Sequence, residues 1–217
     1  MTGPGITVVI PAHPFRVING MLDRAVASVE AQLLPAADLV VVVDKDGDGA
    51  ARTRQRGLEQ VKTEWVAFLD SDDWFYPGHL KVLAAGARVH RAQYVFSYYM
   101  VHHRDGTPWP ENDPLGHFGK PWNPAAPHQT TITTLVRTDI AQRVGFSDPP
   151  EGSTVGGHRG GEDWHFTIGC RDAGARIVHV PRRTWAWVHH GLNSSGLPGR
   201  GDAAIQMGAA HGAADQH

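Results

Sequence analysis

Three carboxylates stand within four residues, Asp70, Asp72 and Asp73, directly after the apolar run Trp65 to Leu69. With Ser71 between them, Asp70 and Asp72 project to the same side of an extended chain. Two unit charges about 4 Å apart repel by roughly 4 kcal/mol at an effective dielectric near 20. Such a pair persists where water screens it, where one acid keeps its proton, or where a divalent cation sits between the two. A solvated Asp-rich turn is the plainer alternative, and the surrounding chain argues against it. Further candidates are Asp44, which ends another apolar run, the acid pair Glu162-Asp163, and the histidines His189 and His190.

Arg52, Arg54 and Arg56 crowd the first half of a predicted helix from Ala50 to Val61. Cations there oppose the helix dipole at a cost of ~0.3–1 kcal/mol each near the first turn. A neighbouring anion reverses that sign, and helix N-termini bind phosphate groups well. The cluster therefore points to a phosphate neighbour, although any single arginine is equally well explained as part of a solvated face. The loop Asp44 to Gly49 superficially resembles a calcium-binding loop. Gln55 stands where the bidentate acid would be required, so that reading is rejected. Asp46 and Asp48 are read as plain turn residues.

The elements that must position these groups alternate. Ile6 to Ile10 and Leu39 to Val43 are continuous apolar runs, read as buried strands, and the helical period from Met21 to Leu34 lies between them. Continuous runs joined by helices predict an α/β fold with a mostly parallel central sheet flanked by helices. Later elements are a helix from Pro77 to about His90, a strand from Tyr94 to Val101 and a strand from Thr130 to Val136. A short helix from Thr138 to Val144, a helix from Glu162 to Ala173, a strand from Ile177 to Val180 and an extended segment from Trp185 to His190 follow. Arg104 to Gln129 is aperiodic and proline-rich, as functional loops often are, and Gly152 to Gly161 is read as flexible.

At 217 residues the chain fits a single domain over 1–197, with one half at about 6–101 and a second at about 102–197. Residues 198–217 read as a disordered tail. A net charge of -2 gives no electrostatic case for nucleic-acid binding or for a membrane surface. Cys170 is the single cysteine, which excludes an intramolecular disulfide framework, and it reads as a core residue. No stretch reaches membrane-spanning length and the N-terminus lacks signal-peptide character, so the expected location is cytoplasmic.

Four segments, in order, resemble the family 2 glycosyltransferases of the A-type (GT-A) fold. They are Val8-Val9-Ile10-Pro11-Ala12, then Val41-Val42-Val43-Asp44, then Ala51-Arg52-Thr53-Arg54-Gln55-Arg56-Gly57-Leu58 running into Trp65 to Trp74. The last is Gly161-Glu162-Asp163-Trp164 followed by Gly174 to Pro181. One departure stands out. The helix follows Asp44 almost at once, where the family usually has a further strand, so the nucleotide-binding half is shortened, and Lys45 replaces the second acid of the usual pair.

The resemblance implies a single Rossmann-like GT-A domain and a metal-dependent, inverting transfer from a UDP-sugar to an acceptor hydroxyl. It implies Mn²⁺ or Mg²⁺ on Asp72, with Asp70 at the ribose or beside the metal, and His190 or His189 as a further ligand. Pro11, Ala12, His13 and Asp44 would form the base pocket, Arg52 or Arg54 would reach the pocket or the diphosphate, and Ser71 would lie among the donor contacts. Trp74 and Trp109 are the expected sugar-facing rings, with core packing the default for Trp185. Asp163, or second Glu162, would be the catalytic base, and Asp73 would serve the fold. The alternatives are a sugar-nucleotide-binding protein without transfer activity and, last, a nucleotidyltransferase. Sugar and acceptor are left open.

Overall fold

The computed structural model describes residues 5–110, 113, 115–126, 129–149, 154–155, 158–159 and 161–190. Strand β1 (Ile6–Ala12) is buried at every position. It lies between β2 (Asp38–Val43) and β3 (Trp65–Phe68) and runs parallel to both, which is why its sequence is apolar without alternation. Beyond β3 the sheet continues through β6 (Thr134–Arg137), β5 (Tyr94–His103), β9 (Ile177–His189) and β4 (Trp74–Phe75). β1, β2, β3, β5 and β9 share one direction, and only β6 and β4 run against it, so the expected mostly parallel sheet is present.

Alternate residues of β1 feed two separate hydrophobic layers. Ile6, Val8 and Ile10 pack with Leu22, Ala25 and Val29 of α2 (Met21–Glu30) and with Leu80 and Leu83 of α4 (His79–His90). Val9 faces the other layer, with Ala51 and Leu58 of α3 (Ala50–Leu58), Ile140 of α5 (Thr138–Val144), and Phe166 and Cys170 of α6 (Glu162–Asp172). The sheet is thus covered on both faces. α3 sits unusually close to it: a Cβ at Gly57 would lie 2.4 Å from Val9 Cγ1, so only glycine permits this approach.

Several boundaries differ from the sequence reading. The two extended segments Ile177 to Val180 and Trp185 to His190 are one strand, β9. Its register against β5 slips around Pro181, from Phe96 opposite His179 to Tyr98 opposite Arg183. Proline has no N–H for the ladder, which explains both the slip and the false break. β6 begins at Thr134 rather than Thr130, and α3 stops at Leu58. The five-residue α1 (Pro14–Ile18) and the two-residue β4 are too short to show a period and are absent from the sequence reading. Among its described residues the 104–129 segment forms no strand or α-helix. In the glycine-rich stretch, β7 (Thr154–Val155) pairs with β8 (His158–Arg159), and the rest lies outside the described residues, as does the tail after Leu197. Among the described residues no helix is long and apolar enough to cross a membrane.

Candidate active site

The carboxyl ends of β1, β2 and β3 open onto a cleft of roughly 510 Å³. Open α/β sheets bind ligands at this edge, because loops leaving neighbouring strands diverge there. Pro11 and Ala12 close β1, Asp44 follows β2, and Asp70, Ser71, Asp72 and Asp73 follow β3, so the three strands deliver their terminal residues to one wall.

Three arginines balance the charge of the acid cluster and a histidine hydrogen-bonds to it, a solution beyond water, proton or metal. Asp70 Oδ1 accepts from Arg54 Nη2 at 2.5 Å. Asp72 Oδ2 pairs with Arg16 Nη2 at 3.0 Å and stands 2.9 Å from His190 Nε2. Arg24 donates to the Asp72 carbonyl at 3.2 Å and lies over the Trp74 ring. Burial pushes the Asp72 carboxyl up, but the His190 contact and the Arg16 charge outweigh it and hold the pKa below the usual range. Asp70 goes the other way, with burial and the Asp72 charge outweighing Arg54. Asp73 is raised furthest, by burial and then by Asp72 and Asp70. It is 4% exposed, and its Oδ1 accepts from the Val188 N–H of β9, so it ties the acid turn to the sheet.

Asp44 stabilises its own loop. Its two oxygens accept the N–H groups of Asp48 and Gly49, both at 2.9 Å, and Arg56 adds a contact at 3.3 Å. Burial raises its pKa, and these donors more than reverse that. Arg56 also pairs with Asp48 at 2.7 Å and reaches Asp46 at 3.9 Å. The anions beside this arginine are the loop's own aspartates, so Asp46 and Asp48 are ion-paired rather than simple turn residues.

Arg54 joins the acid cluster to α6. Its side chain is 6% exposed and pairs through Nη2 with Asp70 and through Nη1 with Glu162. Burial would depress its pKa, but the flanking acids more than offset this and raise it. Asp163 adjoins Glu162 in the first turn of α6, where the helix dipole favours acids. Its Oδ1 accepts from the Trp164 N–H at 2.7 Å. Burial, reinforced by the Glu162 charge and opposed by Arg54, raises the Asp163 carboxyl to about 6.

Residues 31–143, just over half the chain, match the model of the family described as "Glycosyl transferase family 2". The chain belongs to glycosyl transferase family 2. No curated protein matches it. Among solved structures it is similar to S. aureus TarS 1-349, at 18% identity and a TM-score of 0.62 over 85% of this chain. The same TarS fragment has been solved in complex with UDP and with UDP-GlcNAc, the latter giving a TM-score of 0.63 at 18% identity. Identity at that level speaks to the fold. The chain spans 60% of the length of that fragment and 37% of the longer TarS structure.

This family 2 domain brings most of the sequence-named residues together. Pro11, Ala12, His13, Asp44, Arg54, Asp70, Ser71 and Asp72 all line the cleft. Arg52 does not: its side chain is 66% exposed and its acidic neighbours Asp48 and Asp148 are 3.8 Å away. Trp74 lies against Arg24 and His102, and Trp109 against His103 and His189, so neither expected sugar-facing ring is on the cleft wall. Trp185 is buried, as its default reading required. The cleft-lining tryptophan is Trp187, placed by alternation two residues along β9 from Trp185. Arg16 and Phe15 of α1 and Thr53 of α3 also line it. Sequence reasoning missed Arg16 because α1 carries no period, and its only local signal is Pro14 at a helix start after His13.

The acid cluster also fits a divalent cation. Ligand oxygens of Asp70, Asp72 and Asp73 lie within 4.8 Å of one another. Asp73 gives only Oδ1 to Val188, so Asp70, Asp72 and Asp73 all remain candidate donors, with His190 beside Asp72. Carboxylate oxygens of this kind suit Mn²⁺ or Mg²⁺.

Proposed function

We propose that this domain is a metal-dependent, inverting glycosyltransferase that moves a sugar from a UDP-sugar to an acceptor hydroxyl. The observation that carries the reading is the convergence of Asp70 and Asp72, with His190 against Asp72, on a cleft bounded by β1, β2 and the start of α3. Family membership supports sugar transfer, and the UDP and UDP-GlcNAc complexes of TarS support the donor class.

Asp72, Asp70 and His190 would hold the divalent cation, which when bound supplies positive charge opposite a departing diphosphate. Pro11, Ala12 and His13 form the wall available to the base and ribose, and the Gly49-Ala50 start of α3 borders the same space. Asp44 organises that wall by fixing the loop into α3, so its part in base recognition is through the loop it shapes. Asp163 takes the proton of the acceptor hydroxyl as that oxygen bonds to the anomeric carbon, and the bond to the UDP oxygen breaks. A carboxyl held at about 6 is charged at neutral pH yet basic enough to share a proton in the transition state. Glu162, locked to Arg54, positions that turn of α6 relative to Asp70.

Calorimetry with UDP-, GDP- and dTDP-sugars, with and without Mn²⁺, tests the reading. A UDP-sugar is expected to bind with Mn²⁺ and to lose that affinity in excess chelator or in Asp72→Ala. Undiminished binding in chelator would overturn the metal site, and preference for GDP or dTDP would overturn the donor.

A further inference from the structure

Arg16 occupies the place between Asp72 and His190 that a cation would take. Its Nη2 is 3.0 Å from Asp72 Oδ2 and its Nη1 is 2.7 Å from His190 Nε2. Asp72 Oδ2 and His190 Nε2 are themselves hydrogen-bonded at 2.9 Å. In an octahedral ion with bonds of about 2.1 Å, adjacent ligand atoms stand roughly 3.0 Å from each other. Metal ligation would replace that hydrogen bond with almost no change of spacing, and the guanidinium is the positive charge that the two groups meet now.

The contact is built rather than incidental. Arg16 Nη1 also meets Met21 Sδ at 3.1 Å, and the side chain is 15% exposed although the helix that carries it buries no residue. Phe15, Val17 and Ile18 on either side are exposed, at 47%, 42% and 83%. Arg16 thus reaches inward from an otherwise superficial turn. It is also the cation whose position is least fixed by the fold, since Arg54 is buried between two acids and Arg24 is stacked on Trp74.

We propose that Arg16 is an internal counter-cation that competes with the divalent metal for Asp72 and His190, so that metal binds only as the guanidinium leaves. This rests on the metal-site reading above. Exclusion follows from place: the guanidinium bridges Asp72 Oδ2 and His190 Nε2, so a cation that takes both atoms must displace it. Without metal, the arginine keeps the carboxylate paired and the acid turn from repelling itself. The consequence is a raised threshold for metal, since apparent affinity falls with the fraction of molecules whose ligands are open. If Arg16 is engaged in about nine molecules of ten, the metal binds about tenfold more weakly than the bare ligands would allow.

The test is Mn²⁺ binding to the nucleotide-free full chain, read from the paramagnetic resonance signal of the free aqua ion. The set is the wild type, Arg16→Gln, Arg16→Lys and Asp72→Asn, each checked for fold by circular dichroism. Arg16→Gln is expected to bind Mn²⁺ about tenfold more tightly than the wild type. Arg16→Lys, which keeps the charge but loses the two-pronged contact, falls between them and serves alone if the glutamine variant fails to fold. Asp72→Asn is expected to lose the site. Equal or weaker binding by Arg16→Gln, with Asp72→Asn still impaired, overturns the competition and leaves the metal site standing. Absence of Mn²⁺ binding in the wild type and both Arg16 variants, or wild-type affinity in Asp72→Asn, overturns the metal site and the competition together.

Discussion

Asp163 shows how a residue's chemistry depends on neighbours that its own sequence position conceals. Its place beside Glu162 at a helix start explains two acids without any reaction. Burial and the adjacent Glu162 charge are what raise its carboxyl to about 6. A base must be ionised to accept a proton, so transfer is expected to fall as the pH drops through about 6 and to level off above it. A pH profile of kcat at saturating donor checks this, and a profile flat down to pH 5 would remove Asp163 from the role. Asp163→Asn is expected to keep donor affinity and to lose roughly 10²–10⁴ in turnover, measured by donor calorimetry beside product formation. The acids themselves were legible as residue types at strand and helix ends. Their counter-charges were less so: Arg54 sits in a recognisable cluster, whereas Arg16 reaches Asp72, 56 positions further along the chain, from a turn with no pattern.

At the level of elements, α3 carries most of the positioning. It is held against β1 and β2 by the missing side chain of Gly57, which lets Arg54 arrive at Asp70 and Glu162 with both ends of its guanidinium engaged. Gly57→Ala would place a methyl 2.4 Å from Val9 Cγ1 and 3.5 Å from Val42 Cγ2, in the middle of a strand that cannot move. The helix must shift outward instead. A loss of about 1–3 kcal/mol in unfolding free energy is expected, with weakened donor binding because Arg54 and the Gly49 loop move with the helix. Urea unfolding beside donor calorimetry checks both, and unchanged values for the two would show that α3 has room the close approach denies. The parallel strands were readable because both their faces are buried, which writes continuous apolar runs. β4 and α1 were not, since two and five residues leave no period, and β9 was split by a proline that the fold absorbs as a slip in register.

The whole molecule is joined behind the acid turn, where β4, α4 and β9 meet around a histidine. His79 is fully buried, stacked on Phe75 at 3.9 Å and bonded through Nδ1 to Thr184 Oγ1 at 2.7 Å. Gln32 of the α2 end bonds the Tyr76 carbonyl and the Leu80 N–H, so the helix layer and the far edge of the sheet share this joint. Burial holds the His79 pKa down to about 3, against an unfolded value of 6.5. Between those values the unfolded chain binds a proton that the folded chain refuses. Stability is therefore complete above about 6.5 and declines as the pH falls below it. At pH 5.5 the loss from this group is about 1.4 kcal/mol, since the unfolded imidazole is then mostly protonated. For a domain of this size that corresponds to roughly 3–6 °C in Tm. Asp73, whose pKa is raised in the fold, works in the opposite sense and gains stability as the pH falls through its titration, so the wild-type curve alone does not isolate His79. The difference between wild type and His79→Gln does, because the glutamine keeps a hydrogen-bonding group and cannot titrate. Tm measured from pH 7.5 to 5.5 is expected to fall more steeply in the wild type than in the variant. Parallel curves would mean that His79 carries its proton into the folded core, and that the joint behind the cleft is charged.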